Sequence, residues 1–226
     1  MPKIGMEPIR RQALTDAALR AIADHGSLGV TMSQIARQAG VSPALAHHYF
    51  GSKDELLVAT MRMLLERLRA DTVARLRRAE SPRARLSTLI AVSFQADQFQ
   101  PETVAAWLAF YGEAQRSAPL RRLLIVYARR LRSNLIDALV ALTSRDDAAR
   151  IAEGAAAMID GLYLRQALEA VPLGPEACAA LVEDHVARQL AGPRTETAAS
   201  GPANRDQGTQ DPVLQDEDNR SGRNAR

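Results

Sequence analysis

The sequence predicts an all-α protein, and three observations support this fold class. Apolar residues recur at a spacing of three and four along almost the whole chain, which places them on one face of a helix. No Asn-Gly or Asp-Gly pair joins two alternating apolar runs, so the sequence signature of a β-hairpin is missing. Prolines stand near the starts of several periodic segments, where the missing amide proton does not disturb a helix.

The first two helices are predicted from their apolar stripes and their end signals. Residues 9–25 carry such a stripe, and Gly26 suits the left-handed conformation that often follows a last helical residue. Thr31 and Gln34 match a capping box, in which each side chain satisfies a free backbone amide of the helix start. Gly40 then ends this short second helix.

A third short helix and a long fourth one follow. Ser42 is expected to cap the third helix, with Pro43 at its first position. Ser52 and Glu55 match a second capping box, which begins a long helix over residues 53–78. Five more helices are predicted from periodicity, at residues 83–98, 102–115, 120–142, 146–170 and 175–190.

Charge and composition divide the chain unevenly. Residues 1–80 hold twelve Lys and Arg against eight Asp and Glu, whereas residues 81–192 hold twelve of each. This N-terminal excess is small, but it suits a module that approaches a polyanion. Residues 193–226 have few large apolar side chains, so we expect a disordered tail there.

Residues 31–50, TMSQIARQAGVSPALAHHYF, have the pattern of a helix-turn-helix, whose second helix enters the major groove of DNA. An αα-hairpin without a partner would need the same small core. The expected core residues are Ile35, Ala36, Ala39, Val41, Ala46 and Phe50.

Polar residues outside this core favour DNA binding. Thr31 and Ser33 stand at a helix N-terminus, which attracts phosphate, and Arg37 lies one turn beyond. Short side chains begin the third helix, where Ala44 suits contact with a thymine methyl group. The other candidates on or beside this helix are Pro43, His47, His48, Tyr49 and Lys53. The alternative for Tyr49 is a ring that completes the core.

The segment IARQAGVSPALAHHYFGSKDELL resembles the signature of the TetR family of bacterial repressors. The resemblance covers roughly residues 7–190. It implies a helix-turn-helix followed by a helical regulatory domain that dimerises through its last two helices. It also implies phosphate contacts by Thr31, Tyr49 and Lys53. The residues it places near bases are Ser33, Pro43, Ala44, Leu45, His47 and His48.

Within that family, five segments are together similar to the choline-responsive repressors of glycine betaine synthesis genes. They are MPKIGMEPIRRQ, AHHYFGSKDELLVATMR, AWLAFYGEAQ, RRLRSNL and AAMIDGLYLRQAL. This similarity implies repression of choline transport and oxidation genes, relieved by choline, in the context of osmoprotection. The operator does not carry over, because residues 43–47 vary among such repressors.

Three parts are therefore expected. Residues 1–52 form a DNA-binding domain, residues 53–192 a regulatory and dimerisation domain with residues 53–78 as the connecting helix, and residues 193–226 the tail. The expected partners are double-stranded operator DNA, a second copy of the chain and a small-molecule inducer. No cofactor or membrane association is expected, and the expected location is the cytoplasm.

Aromatic residues are scarce but concentrated. Trp107, Phe110 and Tyr111 share one predicted helix, while Phe94, Phe99, Tyr127 and Tyr163 occur elsewhere in the regulatory part. Trp107 and Tyr111 are four apart and so share a face, and aromatic faces attract quaternary ammonium ions. A plain hydrophobic core is the other interpretation.

Asp160 stands in the apolar segment AAAMIDGLYL, where an unpaired buried carboxylate would be unstable. Its candidate partners are Arg165, an arginine of residues 120–132, or a bound cation. The candidate ligand contacts are Trp107, Phe110, Tyr111, Asp160 and Tyr163. The small residues Ala155, Ala156, Ala157 and Gly161 favour close helix packing, which is consistent with a dimer interface there.

Other function classes find little support. The sequence has no P-loop, dinucleotide fingerprint, HExxH pair or nucleophile elbow, and its four histidines lack catalytic spacing. His47 and His48 point about 100° apart on a helix, so no zinc site is expected. Cys178 is expected to be buried filler. A helical scaffold, or a regulator with another inducer such as a drug, remains the alternative.

Overall fold

Nine helices make up the described part of the molecule. The computed structural model describes residues 5–168 and 173–192, and within these ranges it holds no strand, which confirms the all-α prediction. The helices are α1 (Met6–His25), α2 (Met32–Gln38), α3 (Pro43–Phe50), α4 (Lys53–Leu76), α5 (Pro82–Ser93), α6 (Pro101–Glu113), α7 (Ala118–Leu139), α8 (Arg145–Leu168) and α9 (Pro175–Ala191). The predicted tail at 193–226 lies outside the described residues.

The short helices begin and end as their sequence signals predict. The Thr31 hydroxyl accepts from the Gln34 amide while the Gln34 side chain bonds the Thr31 amide, which confirms the capping box of α2. Gly40 has a φ of +66°, a left-handed conformation in which glycine is not strained, and it turns the chain toward α3. Ser42 caps α3 by accepting from the Leu45 amide at 3.2 Å.

A small apolar core joins α1, α2 and α3. Leu14 and Ile22 of α1 are fully buried in it. The six predicted core residues all take part, with Ile35, Ala36, Ala46 and Phe50 buried and Ala39 and Val41 half-buried against them. Since the apolar faces are used in this way, the polar residues of α2 and α3 are left outside.

At the start of α4, the structure has one of the two hydrogen bonds of the predicted capping box. The Ser52 hydroxyl accepts from the Glu55 amide at 3.2 Å, as a capping box requires. The Ser52 amide, however, donates to the Phe50 carbonyl at 2.7 Å. The reciprocal half of the predicted box is therefore wrong, because a tight turn at Gly51 already uses that amide.

Several helices end earlier than their periodicity predicts. The predicted ends at 98, 115 and 142 are instead Ser93, Glu113 and Leu139. After α5 the chain bends, and the Phe99 amide donates to the Gln95 carbonyl at 3.2 Å. Phe94 and Phe99 are nevertheless both buried. The apolar spacing continues past the end of α5 because the turn that follows also buries its two aromatic rings. Spacing alone therefore could not locate the end of the helix.

The helices after α3 pack as a bundle that also contacts α1. In this bundle α8 packs against α6, α7 and α9, and α5 packs against α4, α7 and α9. Helix α1 packs against both α4 and α6. The N-terminal helices are thus linked to the bundle through two elements. Among the described helices we find none with the length and apolar character that a membrane span requires. Cys178 is buried in the core, as expected.

Candidate nucleic-acid interface and aromatic cluster

Helix α3 presents the residues predicted to read bases. Pro43, Ala44, His47 and His48 are exposed on it, whereas Leu45 is half-buried. The exposed residues early in the helix are short, so the backbone there can approach a groove closely. The base contacts predicted for these residues stay predictions.

The start of α2 is the predicted phosphate site. Thr31, Ser33 and Arg37 are all exposed. The Thr31 hydroxyl lies 3.2 Å from the Gln34 amide and 2.9 Å from Gln34 Oε1, so it is engaged within the capping box. We therefore expect the backbone amides of the first turn, with Ser33 and Arg37, to make the main phosphate contacts here.

Lys53 has a structural contact that its sequence position did not predict. Its Nζ atom donates to the Leu28 carbonyl at 3.2 Å, and the side chain is half-buried. This bond ties the first residue of α4 to the loop before α2. A lysine ammonium has three donors, so the predicted phosphate contact can coexist with this bond.

Arg11 contacts the last turn of α3, and sequence reasoning missed these contacts. The Arg11 guanidinium donates to the Tyr49 carbonyl and lies 4.4 Å from the centroid of the Phe50 ring. Arg11 is on α1, and nothing in its local spacing signals these contacts. The half-buried Tyr49 ring packs against the core, so the core interpretation of that ring holds whether or not its hydroxyl contacts phosphate.

The aromatic residues of the regulatory part come together around Trp107. Its ring centroid lies 5.1 Å from that of Tyr127, 5.9 Å from Tyr111 and 6.5 Å from Tyr163. These four residues, from α6, α7 and α8, are called the Trp107 cluster below. Three were predicted to share a site. Tyr127 was missed as a site residue because no spacing relates it to α6.

Other rings border this cluster. Phe94 and Phe99 contact each other and Tyr163, and the Tyr163 hydroxyl donates to the Ser93 carbonyl. Phe110 is fully buried, but no ring contact joins it to the Trp107 cluster within the described residues. Its predicted ligand contact is therefore less well supported than those of the clustered rings.

Asp160 lies at the edge of the Trp107 cluster. The Tyr111 hydroxyl donates to its Oδ1 atom at 3.1 Å, a partner that the sequence did not predict. Asp160 as a whole is exposed to solvent. Its carboxyl group is nevertheless partly desolvated by the surrounding protein, which raises its pKa above the ordinary 3.8, whereas the Tyr111 hydrogen bond lowers that pKa.

The polar atoms of the cluster are held in a poorly hydrated environment. Burial raises the pKa of the Tyr111, Tyr127 and Tyr163 hydroxyls, and the nearby Asp160 carboxylate raises each of them further. Trp107 is 3% exposed, and its Nε1 donor finds no hydrogen-bond partner among the described residues. Neutral aromatic rings, a carboxylate and a donor without a partner therefore lie together.

A cavity of about 340 Å³ lies beside the cluster, between α4, α5 and α7. It touches the cluster through Tyr127 and the neighbouring Ser93. Its walls are mainly apolar, and the other polar residues in them are Arg69, Thr72, Arg130 and Asn134. The Trp107 ring does not line it. An open space therefore adjoins Tyr127, one ring of the cluster.

Apolar side chains are also exposed on the last two helices. Leu164 and Leu168 of α8 are 49% and 74% exposed, and Leu181 of α9 is 45% exposed. Ala157 and Gly161, which were predicted to allow close packing, are exposed on α8 as well. Ala155 is instead buried within the chain.

Comparison with protein families gives two matches. Residues 14–60 match the model of bacterial regulatory proteins of the tetR family, and residues 82–191 match that of the C-terminal part of BetI-type transcriptional repressors. The first range spans the helix-turn-helix. The second spans α5 to α9 and includes the Trp107 cluster.

Curated relatives are similar over most of the chain. The HTH-type transcriptional regulator BetI of Rhizobium meliloti (strain 1021) is 68% identical over 190 residues, which is 84% of this chain and 94% of the relative. The protein of the same name in Agrobacterium fabrum (strain C58) is 67% identical over 190 residues, 84% of this chain and 92% of the relative.

Solved structures share the fold. A transcriptional regulator of Pseudomonas aeruginosa PAO1 has 27% identity and a TM-score of 0.72, covering 82% of this chain and 92% of that one. A transcriptional regulator of Saccharomonospora viridis, solved in complex with choline, has 22% identity and a TM-score of 0.68, covering 78% and 95%. At that identity the second match establishes the fold alone.

Proposed function

The chain belongs to the TetR family of transcriptional regulators, in its BetI-type branch, and we propose that it represses genes of choline uptake and glycine betaine synthesis until choline releases it from DNA. Family membership makes it a DNA-binding regulator and not an enzyme. The identity of the inducer is the part of the proposal that needs support from this chain's own residues.

The Trp107 cluster carries the proposal. A quaternary ammonium ion is attracted to the electron-rich faces of aromatic rings, by about 0.5 to 2 kcal/mol per contact depending on desolvation. Four such rings lie together, and the Asp160 carboxylate at their edge adds a negative charge. The buried Trp107 Nε1 is a donor that the hydroxyl of choline would satisfy. This combination suits a small cation with one hydroxyl.

Ring contact within the cluster suggests how binding would be coupled to release. Ring centroids 5.1 Å apart leave no room for a trimethylammonium group between Trp107 and Tyr127, so the cation must separate them. Separation would move α6 or α7, and α6 packs against α1. An inducer acts only through different affinities for two states, typically with a coupling of about 1 to 3 kcal/mol.

Two helices are therefore proposed to transmit the signal. The first is the connecting helix α4, because the Gln95 side chain, in the turn after α5, donates to Asp71 of α4 at 2.7 Å. Helix α6 is added because it holds Trp107 and Tyr111 and also contacts α1. A change at either helix would alter the position of α3, and so the spacing of the two α3 helices in a dimer.

The dimer itself is proposed to form through α8 and α9. Leu164, Leu168 and Leu181 are large apolar residues exposed on these helices, and Ala157 and Gly161 would allow close approach of a second copy. Two copies related by a two-fold axis would bind an imperfect palindrome with half-sites on one face of the duplex. A monomeric complex at saturating protein would contradict this arrangement.

The inducer is tested with labelled DNA from upstream of the protein's own gene. Operator affinity is measured by fluorescence anisotropy over a range of choline concentrations, with 3,3-dimethylbutanol as an uncharged isostere. We expect choline to weaken binding and the isostere to have little effect. Equal effects of the two, or no effect of choline, would contradict the cation-binding cluster.

A matched pair of variants locates the site. Trp107→Leu keeps an apolar side chain but removes the π face, so operator binding should remain while the choline response is lost. Phe110→Leu removes an equally buried ring of the same helix that lies outside the cluster, and it should keep the response. Loss of the response in both variants would indicate a general defect in α6.

The neighbouring cavity favours a second candidate. Its mainly apolar walls suit a hydrophobic drug or metabolite better than they suit choline. A regulator of the same fold with such an inducer would ignore choline and respond to an apolar compound. Val92 lines the cavity and Trp107 does not, so in the anisotropy assay Val92→Trp should abolish a response to an apolar inducer and Trp107→Leu a response to choline.

A further inference from the structure

His47, on the exposed face of α3, has one ring nitrogen fixed by the backbone. Its Nδ1 atom lies 2.9 Å from the Gly51 carbonyl oxygen, and the Gly51 amide donates to the His47 carbonyl at 2.7 Å. A carbonyl oxygen can only accept, so Nδ1 carries the proton in this bond. The other nitrogen of a neutral imidazole, Nε2, is then an acceptor.

The turn at Gly51 holds that carbonyl in place. Gly51 has φ +69° and ψ −66°, and the Ser52 amide donates to the Phe50 carbonyl at 2.7 Å, which together define a γ-turn. This left-handed conformation favours glycine, and a Cβ atom there would also lie 3.0 Å from the Glu55 carboxylate. The backbone conformation therefore holds the Gly51 carbonyl oxygen against His47 Nδ1. This contact favours the tautomer of the His47 ring that carries its proton on Nδ1.

We propose that His47 reads its operator position as a hydrogen-bond acceptor, so that its target is the exocyclic amine of an adenine or a cytosine. In the major groove these amines are the only base donors, whereas guanine N7 and O6 and thymine O4 are acceptors that would face the Nε2 lone pair. His47 is exposed on α3, as direct contact with a base requires. The inference concerns the operator and does not depend on the inducer.

The tautomer is tested first in the free full-length protein. Long-range ¹H–¹⁵N spectra distinguish a proton on Nδ1 from one on Nε2, and the His47→Ala variant identifies the His47 signal among the four histidines. The spectra are recorded near pH 8.5, where neutral imidazole is the ordinary form. We expect a proton on Nδ1. A proton on Nε2 would overturn the proposal.

The second test uses DNA without choline. Selection from random duplexes with wild type and His47→Ala identifies the position whose preference depends on His47. Base preference alone cannot decide the contact, because every base pair places one exocyclic amine in the major groove. The amine at that position is therefore removed by replacing adenine with purine, or cytosine with 2-pyrimidinone, in the strand that carries it.

Amine removal should weaken binding by the wild type about threefold to tenfold, which is the range of a single neutral hydrogen bond. It should have little further effect on His47→Ala. His25→Ala removes an exposed imidazole from α1 and should respond to amine removal like the wild type.

Three results would overturn the proposal: no effect of amine removal, an equal effect in wild type and His47→Ala, or a uniform loss across sequences in His47→Ala. The last would place His47 on the phosphate backbone. Failure of the wild type to select any sequence would instead contradict operator binding itself.

Discussion

The Arg11 guanidinium lies 4.4 Å from the centroid of the Phe50 ring, and the same side chain donates to the Tyr49 carbonyl. Both contacts are with the last turn of α3, whose exposed face carries the candidate base contacts. We therefore expect Arg11 to affect DNA binding through the position of α3, without touching DNA itself.

Arg11→Ala should lower operator affinity about tenfold and melt slightly below the wild type. It removes a cation–π contact of about 0.5 to 2 kcal/mol and a charged hydrogen bond to a carbonyl, so α3 is held less firmly. The dependence of affinity on salt should not change, because no phosphate contact is lost. Arg10→Ala is the matched control, since Arg10 is also half-buried on α1. Equal losses in both variants would contradict a specific role of Arg11.

Lys53→Ala should weaken binding to all DNA sequences alike and lower the slope of log affinity against log salt by about one, as expected for one lost phosphate contact. The bond from Lys53 to the Leu28 carbonyl adds a second expectation, a modest loss of thermal stability. Anisotropy at several salt concentrations and a melting curve measure the two effects separately. A changed base preference, or lower stability with an unchanged salt slope, would show that the phosphate contact is wrong.

The helix-turn-helix could be predicted in detail because its signals are local. The capping pair of Thr31 and Gln34, the turn at Gly40 and the Ser42 cap each involve residues within a few positions of one another. Interactions over such short distances depend on backbone geometry that the sequence itself specifies. Their prediction did not require knowledge of how the helices pack.

The Trp107 cluster could be predicted only in part because its contacts are distant in sequence. Tyr111 and Asp160 are 49 positions apart, and Tyr127 meets Trp107 only because α7 packs against α6. Apolar spacing shows which face of a helix is buried but not which helix covers it. Arg11 was missed for the same reason, since its partner Tyr49 is 38 positions away.

Leu181→Glu should convert the dimer to a monomer and weaken operator binding by at least about 100-fold, because the advantage of binding two linked half-sites is lost. A charge placed on an apolar α8–α9 interface would be desolvated without a partner. Light scattering gives the mass, and anisotropy gives the affinity. Ile125→Glu, on α7, is the control because Ile125 is exposed to a similar extent, 43% against 45% for Leu181. A dimeric Leu181→Glu protein would place the interface elsewhere.

Choline affinity should fall as the medium is acidified, and it should fall at a higher pH in Tyr111→Phe than in the wild type. Burial raises the pKa of Asp160, so the carboxylate takes up a proton, and loses the charge that attracts choline, above the ordinary pKa of 3.8. The Tyr111 hydrogen bond favours the charged form and lowers this pKa, so its removal leaves the pKa higher.

Calorimetric titration with choline from neutral pH down to the ordinary pKa of 3.8 measures this effect. The expected loss is about twofold to fivefold, as for a partly exposed charge pair. Tyr111→Phe keeps the aromatic ring, so its affinity at neutral pH should remain near that of the wild type while the decline moves to higher pH. Asp160→Asn should bind choline weakly and independently of pH over the same range. If the decline in Tyr111→Phe moved to lower pH, or if Asp160→Asn kept the wild-type profile, Asp160 would not be the titrating group that attracts the cation.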